Sequence, residues 1–387
     1  MSDLHKQFLK RVKQQEQAFG LASLSEDGGG DNDTVFFPPA KQQIETKPKF
    51  DRTEINHEGI FKNYEMERNS TFPIIESYKD QKSGIVFQVY FKPPSSSKVP
   101  IFVGCHGAGS SSMTYCKLAQ SFNKTYEEES CGIFLFDMRG HGGSTSIEPL
   151  DFSLTTLTED FAFVLEKFYQ KHNIESVLYL MGHSLGGSVL TNYLHHYPDN
   201  QFNIKGLIML DIVEETAVTS LGAMPAFLER IPKRFATYKQ AIDWHVKATN
   251  LLKNTESASI SVPDLFVDDG EVLKWKIDLK ITKPFWDSWF KGLSANFVSC
   301  GSKQHVAKLL ILAGHETLDT SLIIGQMQGK YQLIVFNNPN AGHFLQEDIP
   351  ANVAVSLADF ARRNDSPDDY MKRELGFVPK WGGKIHS

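Results

Sequence analysis

The chain has 387 residues, with 40 Lys and Arg against 46 Asp and Glu and 41% hydrophobic residues, enough apolar side chains to bury one large core or two smaller ones. A net charge of −6 spread along the whole length offers no basic footprint for a polyanion, which sets nucleic acid aside as a partner. No stretch approaches the roughly 18 uncharged apolar residues of a membrane span and no apolar segment follows the start Met, so a soluble, non-secreted protein of the cytoplasm or nucleus is expected, not a membrane one.

Residues 1–50 contain Asp27-Gly28-Gly29-Gly30-Asp31-Asn32-Asp33 and Pro38-Pro39, with little apolar periodicity after Leu21, and read as a disordered leader. Its first turns, with Leu4, Phe8, Leu9 and Val12 among basic residues, suit a short amphipathic helix, but Asp3 and Glu16 argue against a mitochondrial presequence. From about residue 84, β-branched and aromatic runs alternate with helical periodicity. The runs 85–91, 101–105, 132–136, 177–181, 205–210, 308–313 and 331–336 are mostly continuous apolar stretches, as expected of parallel strands buried on both faces. Thr156-Leu157-Thr158-Glu159 reads as a capping box opening a helix that carries Phe161, Val164, Leu165 and Phe168. A second helix is expected from Ser184 to Tyr197, where Pro198 ends it, and a third after Pro350 with Val353, Leu357 and Phe360 on one face. The alternation predicts an α/β fold, a mostly parallel doubly wound sheet.

One interval breaks that rhythm. Residues 212–305 hold no clean buried strand but carry Trp244, Trp275, Trp286 and Trp289, and read as a helical or irregular cap with its own small core, placed to roof a site. The core of the fold is then 51–211 with 306–370, and 371–387 form a tail. Cys105, Cys116, Cys131 and Cys300 lack metal-ligand spacing and read as reduced, buried thiols.

The strongest chemical signal is Gly182-His183-Ser184-Leu185-Gly186-Gly187, between an apolar strand and a helix. This is the Gly-x-Ser-x-Gly nucleophile elbow, in which glycines two residues before and after the serine remove side chains that would collide in a strained turn. Ser184 is a weak nucleophile without a base, so a histidine must lie downstream on a loop at the carboxyl ends of the strands. Of His245, His305, His315, His343 and His386, His343 lies between the last apolar strand and the last helix, where the base of this fold belongs. His315 reads as a surface-loop residue, and His183, His195 and His196 as packing or solvated residues. For the acid, Asp211 and Asp319 each follow a strand end, and spacing does not separate them. An oxyanion hole needs two backbone donors, worth about 2.7–4 kcal/mol each. Leu185 N–H supplies one, and Ala108 in the turn His106-Gly107-Ala108-Gly109 is expected to supply the other. The charges of Asp137-Met138-Arg139-Gly140-His141-Gly142 read as braces for neighbouring loops.

With the elbow in place, the sequence resembles the α/β-hydrolase superfamily, and more narrowly the protein phosphatase methylesterase family. The narrower resemblance rests on Met209-Leu210-Asp211-Ile212-Val213-Glu214, on Phe285-Trp286-Asp287-Ser288-Trp289-Phe290-Lys291-Gly292-Leu293-Ser294 and on Gly325-Gln326-Met327-Gln328-Gly329-Lys330, and it runs from about residue 60 to 365. It implies Ser184 as nucleophile, His343 as base and Asp211 as acid. It also implies hydrolysis of the methyl ester on the C-terminal leucine of the type 2A protein phosphatase catalytic subunit, docking on that phosphatase, and no metal or organic cofactor. The chain departs from animal members in Leu185, where they carry Met, and in its longer acidic leader; Leu and Met have similar volumes, and the donor is backbone. Trp286, Trp289 and Phe290, spaced as one helix face, are candidates to grip the leucine, although that spacing suits packing equally. A monomer is expected. The competing readings are a serine esterase or lipase acting on small-molecule esters and a hydrolase-fold phosphatase-binding regulator.

Overall fold

The computed structural model describes residues 57–365 apart from positions 124, 127, 200, 304, 315 and 316. The leader and its amphipathic segment, the tail, His315 and His386 lie outside the described residues.

Among the described residues eleven strands form in chain order: β1 (Ile74–Lys79), β2 (Val86–Lys92), β3 (Ile101–Cys105), β4 (Gly132–Phe136), β5 (Leu178–His183), β6 (Ile204–Leu210), β7 (Arg234–Phe235), β8 (Phe266–Asp268), β9 (Leu273–Trp275), β10 (Ala307–Ala313) and β11 (Gln332–Phe336). Eight of them build one sheet in the order β1-β2-β4-β3-β5-β6-β10-β11. From β4 through to β11 the neighbours are parallel, while β2 runs antiparallel to both β4 and β1. The seven expected strands are all present; β1 is an addition.

Both faces of the sheet are covered, and side chains alternate between them with the period of two that a strand imposes. Val103, Leu180, Met209 and Leu310 face the layer of the helices Leu154–His172 and Leu185–His196. Phe102, Tyr179, Ile208 and Leu309 face the layer of the helix Pro350–Asp365, whose Val353, Leu357 and Phe360 are buried as the sequence pattern requires. The first of these helices begins earlier than expected. Its cap is Ser153, whose Oγ accepts from Thr156 N–H at 3.4 Å, while the Thr156 hydroxyl donates to Asp151 at 2.6 Å instead of capping a box of its own.

The interval 212–305 is helical with one small antiparallel sheet, in the order β7-β9-β8. Phe235, Tyr238, Phe266 and Leu273 form a separate apolar cluster there, with Trp244 and Trp275 packed on it. Its later part behaves differently. Trp286, Trp289, Phe290 and Phe297 join the main core, because the segments Trp286–Trp289 and Leu293–Ser299 lie against the helix Leu185–His196. Glu214 fastens that part by accepting from the N–H groups of Gly292 (2.7 Å) and Ser294 (2.9 Å) at the start of the helix Leu293–Ser299.

A buried ion pair braces the loop after β4. Arg139 forks onto Asp160 with contacts of 2.5 and 2.6 Å and donates a third bond to the Asp151 carbonyl at 3.0 Å. Burial pushes the Asp160 carboxyl up to about 6, although the guanidinium opposes it. Removing one member of such a pair strands the other without a counter-charge. Asp160→Ala is therefore expected to lose about 3–5 kcal/mol in urea unfolding. Asp160→Leu combined with Arg139→Met should recover most of that loss, and equal instability of the single and double variants would contradict this account.

Candidate active site

The register of the parallel strands delivers the expected residues to one edge. Cys105 stands opposite Gly182, His183 opposite Leu210, and Leu210 opposite Ile311. The turn His106–Gly109, Ser184 and Asp211 thus leave the sheet side by side, and the loop carrying His343 leaves the same edge from β11.

Ser184 has φ 51° and ψ −121°, a conformation that costs a residue with a side chain about 1–3 kcal/mol. The turn is possible because the backbone closes on itself: a Cβ on Gly182 would collide with the Gly186–Gly187 peptide, and one on Gly186 with the Cys105 carbonyl. Ser184 N–H donates to Leu210 O at 3.2 Å, and Gly187 N–H donates to Ser184 O at 2.9 Å as the helix begins.

Asp211 also has a left-handed backbone, φ 52°, which Asp tolerates better than most residues. Its N–H donates to Ile311 O at 2.8 Å, and its Oδ1 accepts from Ala313 N–H at 2.6 Å, so β10 fixes the carboxylate. The remaining oxygen, Oδ2, lies 2.8 Å from His343 Nδ1. A carboxylate only accepts, so Nδ1 carries the proton, and in the neutral ring Nε2 holds a lone pair. Asp319 is engaged elsewhere: it caps the helix Thr320–Met327 by accepting from Leu322 N–H at 3.1 Å, and it also accepts from the Ser294 hydroxyl. Asp211 thus meets the His343 ring, whereas Asp319 meets a helix N-terminus.

The loop of His343 has no regular structure and is held by side chains. Its own carbonyl accepts from His183 Nε2 at 2.9 Å. Gly342 N–H donates to Asp348 at 2.8 Å, the other oxygen of Asp348 accepts from Lys253 N–H at 2.7 Å, and Lys253 Nζ donates to Pro339 O at 2.9 Å. Lys253 and His183 carry no local motif in the sequence, because each is brought in from a distant segment.

The turn His106-Gly107-Ala108-Gly109 is similarly pinned. His106 donates from Nδ1 to Gly107 O (2.8 Å) and accepts Met138 N–H (3.0 Å), while Gly109 N–H donates to His141 Nε2 (3.0 Å). Ser110 N–H donates to Gly107 O at 3.2 Å. That leaves Ala108 N–H unengaged by the described residues. Burial, reinforced by His141, pushes His106 down to about 3, and burial pushes His141 down to about 4, so both rings are neutral. His141 is in turn fixed by a bond from Nδ1 to Arg139 O at 2.9 Å, which gives the block Asp137–Gly142 its bracing role.

Trp286, Trp289 and Phe290 are 6, 4 and 6% exposed, and both indole N–H groups are taken, by Thr282 Oγ1 at 2.9 Å and by Phe152 O at 2.7 Å. Their surfaces pack the core. Leu279 lies on the turn His106–Gly109, its side chain occupying the space a Gly109 Cβ would take. Its position was not apparent from the sequence. His245 is buried inside the insertion, with Nδ1 bonded to Ala241 O at 2.8 Å, and His195 and His196 are exposed at the end of their helix.

Residues 100–350 match the family model for the alpha/beta hydrolase fold. The chain is 57% identical to protein phosphatase methylesterase 1 of Debaryomyces hansenii and 47% identical to that of Candida albicans, each alignment covering 100% of both chains. The chain belongs to the protein phosphatase methylesterase family. It is an enzyme, a carboxylic-ester hydrolase of the α/β-hydrolase class. Protein phosphatase methylesterase 1 of Saccharomyces cerevisiae is 41% identical, over 74% of each chain. Among solved structures, E-2-(acetamidomethylene)succinate hydrolase (17% identical, TM-score 0.57) and the thioesterase domain from the curacin biosynthetic pathway (19% identical, TM-score 0.52) share the fold. Each covers 74% of this chain and is itself 99% covered. No helix among the described residues is long and apolar enough to cross a membrane.

Just beyond His343, Glu347 is buried and accepts from the hydroxyls of Thr114 and Ser261, both at 2.6 Å, joining the segment after the turn His106–Gly109 to the interval 212–305. Burial pushes its carboxyl up to about 8. An acid with a higher pKa folded than unfolded holds its proton more tightly in the native state, so stability falls as pH rises from the ordinary carboxylate range toward 8. Glu347→Gln, which keeps the shape without the charge, is expected to melt above the parent at pH 9 and close to it at pH 5. Thermal melts across that range check the sign, and a variant that melts below the parent at pH 9 would reverse it.

Proposed function

We propose that this methylesterase is a serine carboxylesterase that removes the methyl ester from the C-terminal leucine of the type 2A protein phosphatase catalytic subunit, through Ser184, His343 and Asp211. The observation that carries the reading is the 2.8 Å hydrogen bond between His343 Nδ1 and Asp211, beside a serine held in a strained turn at the head of a helix. The names of the relatives supply the phosphatase.

In this mechanism His343 Nε2 takes the hydroxyl proton as Ser184 Oγ bonds to the ester carbonyl carbon. Leu185 N–H and Ala108 N–H receive the oxyanion, aided by the positive end of the helix Leu185–His196. Collapse of the tetrahedral intermediate breaks the bond to the methoxy oxygen, and the imidazolium protonates it to give methanol. Water, deprotonated by His343, then cleaves the leucyl acyl-enzyme, releases the C-terminal carboxylate and restores Ser184. Asp211 holds the tautomer and stabilises the cation at each stage. Leucine is apolar, and the Leu279 side chain against Gly109 gives the acyl group an apolar neighbour. The reaction takes no metal or organic cofactor, and the enzyme acts as a monomer docked on its protein substrate.

Carboxymethylated phosphatase incubated with the enzyme should lose the mass of one methyl group from its C-terminal peptide. Ser184→Ala should lower turnover about a million-fold. Preference for a short-chain aryl ester with no demethylation of the phosphatase would overturn the substrate assignment while leaving the serine chemistry standing. Asp211→Asn should cost about ten-thousand-fold in kcat by removing support for the His343 tautomer, whereas Asp319→Asn should act mainly on stability. Rates ranked the other way would transfer the acid to Asp319.

A further inference from the structure

His183, the residue before the proposed nucleophile, is 1% exposed. A Cβ on Gly107 would stand 3.0 Å from its Nδ1, and its ring centroid lies 4.6 Å from that of His343 and 4.8 Å from that of Phe344. Its ring makes one polar contact, Nε2 to the backbone carbonyl of His343 at 2.9 Å. A carbonyl only accepts, so Nε2 carries the proton, and Nδ1 is a buried acceptor with no partner among the described residues. Such an acceptor carries the full penalty of its desolvation. An apolar side chain would fill the same space without it, so the bond to His343 is what the imidazole specifically supplies.

We propose that His183 is a positioning residue of the hydrolytic site: its Nε2–H fixes the backbone of His343 against the Ser184 turn and so sets the base over the serine hydroxyl. The inference rests on reading Ser184 and His343 as nucleophile and base. The linkage is short, since His183 adjoins Ser184 in the chain and its bond goes to His343 itself. Asp211 fixes the imidazole of His343 from the side-chain end. With His183 on the carbonyl, the base is held at two points, which defines the direction of Nε2. Burial, followed by the neighbouring His343 and His106, holds the His183 pKa well below its ordinary value. The donor is therefore neutral and places no charge beside the imidazolium formed during catalysis.

The test compares His183→Gln with His183→Met in the full chain, two nearly isosteric residues of which only Gln keeps a donor near the place of Nε2. Hydrolysis of a short-chain aryl ester and labelling of Ser184 by a fluorophosphonate are followed alongside thermal melting. Met is expected to lower kcat and the labelling rate about ten- to a hundred-fold, the scale of a misplaced catalytic group, with KM changed less than about threefold. Gln should restore most of the rate. Equal rates for Gln and Met, or a Met variant as fast as the parent, would overturn the proposal. In the unmodified protein, nitrogen NMR of labelled histidine should find the His183 proton on Nε2 across the working pH range; a proton on Nδ1 overturns the proposal even where neither variant folds. If the parent itself is not labelled at Ser184, the reading of the nucleophile fails and the inference fails with it.

Discussion

The backbone of Gly186 lies against the carbonyl of Cys105, and the geometry of the elbow follows from that approach. A helix packed this closely on β3 must begin one residue after the end of β5, which leaves Ser184 alone to reverse the chain. The reversal forces φ into the left-handed region. Two buried neighbours hold the strain: β6 accepts the Ser184 N–H, and β3 blocks retreat of the helix. Larger residues at 182 or 186 would push the helix outward and relax the turn.

A second constraint is electrostatic. His106, His141 and His183 are all buried and all kept neutral by that burial. Each uses one ring nitrogen as a donor to a backbone carbonyl, on Gly107, Arg139 and His343 respectively. His106 and His141 also accept a backbone N–H with the other nitrogen, so a single side chain ties two strands of loop together. Lysine or arginine could donate to the same carbonyls, but would bury a fixed cation at a far larger desolvation cost. Of the imidazoles gathered here, His343 is the more exposed, at 27% of its side chain, and its Nδ1 alone meets a carboxylate.

Much of this was legible in the sequence because it depends on local pattern. Continuous apolar runs marked the buried strands, and Gly-x-Ser-x-Gly marked the elbow. β1 was missed because it is an edge strand carrying Glu76 and Lys79, and its burial alternates between partial and none until Tyr78. The strands of the insertion were missed because they span only two or three residues. Spacing leaves Asp211 and Asp319 level; that one meets the His343 ring and the other caps a helix depends on tertiary packing. Aromatic content in 285–290 suggested a binding wall, but hydrophobic residues at helical spacing serve core and groove alike, and here the indoles close the core. His183 read as packing, because nothing local reveals that its ring meets a carbonyl 160 positions away.

The His343 loop shows how the two parts of the molecule depend on each other. Residues 337–343 have no ladder of their own, and their position is inherited from Asp348, Lys253 and His183. Gly342 can approach Asp348 because it has no side chain: a Cβ there would stand 2.9 Å from the carboxylate and 3.3 Å from Lys253 Cε. Lys253 and Ser261 belong to the insertion, and they meet Asp348 and Glu347 on the segment that follows the base. Displacing residues 253–261 must therefore break one of these bonds or carry the His343 loop along. Burial makes breaking costly, since the carboxyl groups of Asp348 and Glu347, stripped of their donors, have no water to replace them. Residues 253–261 and the His343 loop thus behave as one unit, anchored to the sheet through Asp211 and to the Ser184 turn through His183.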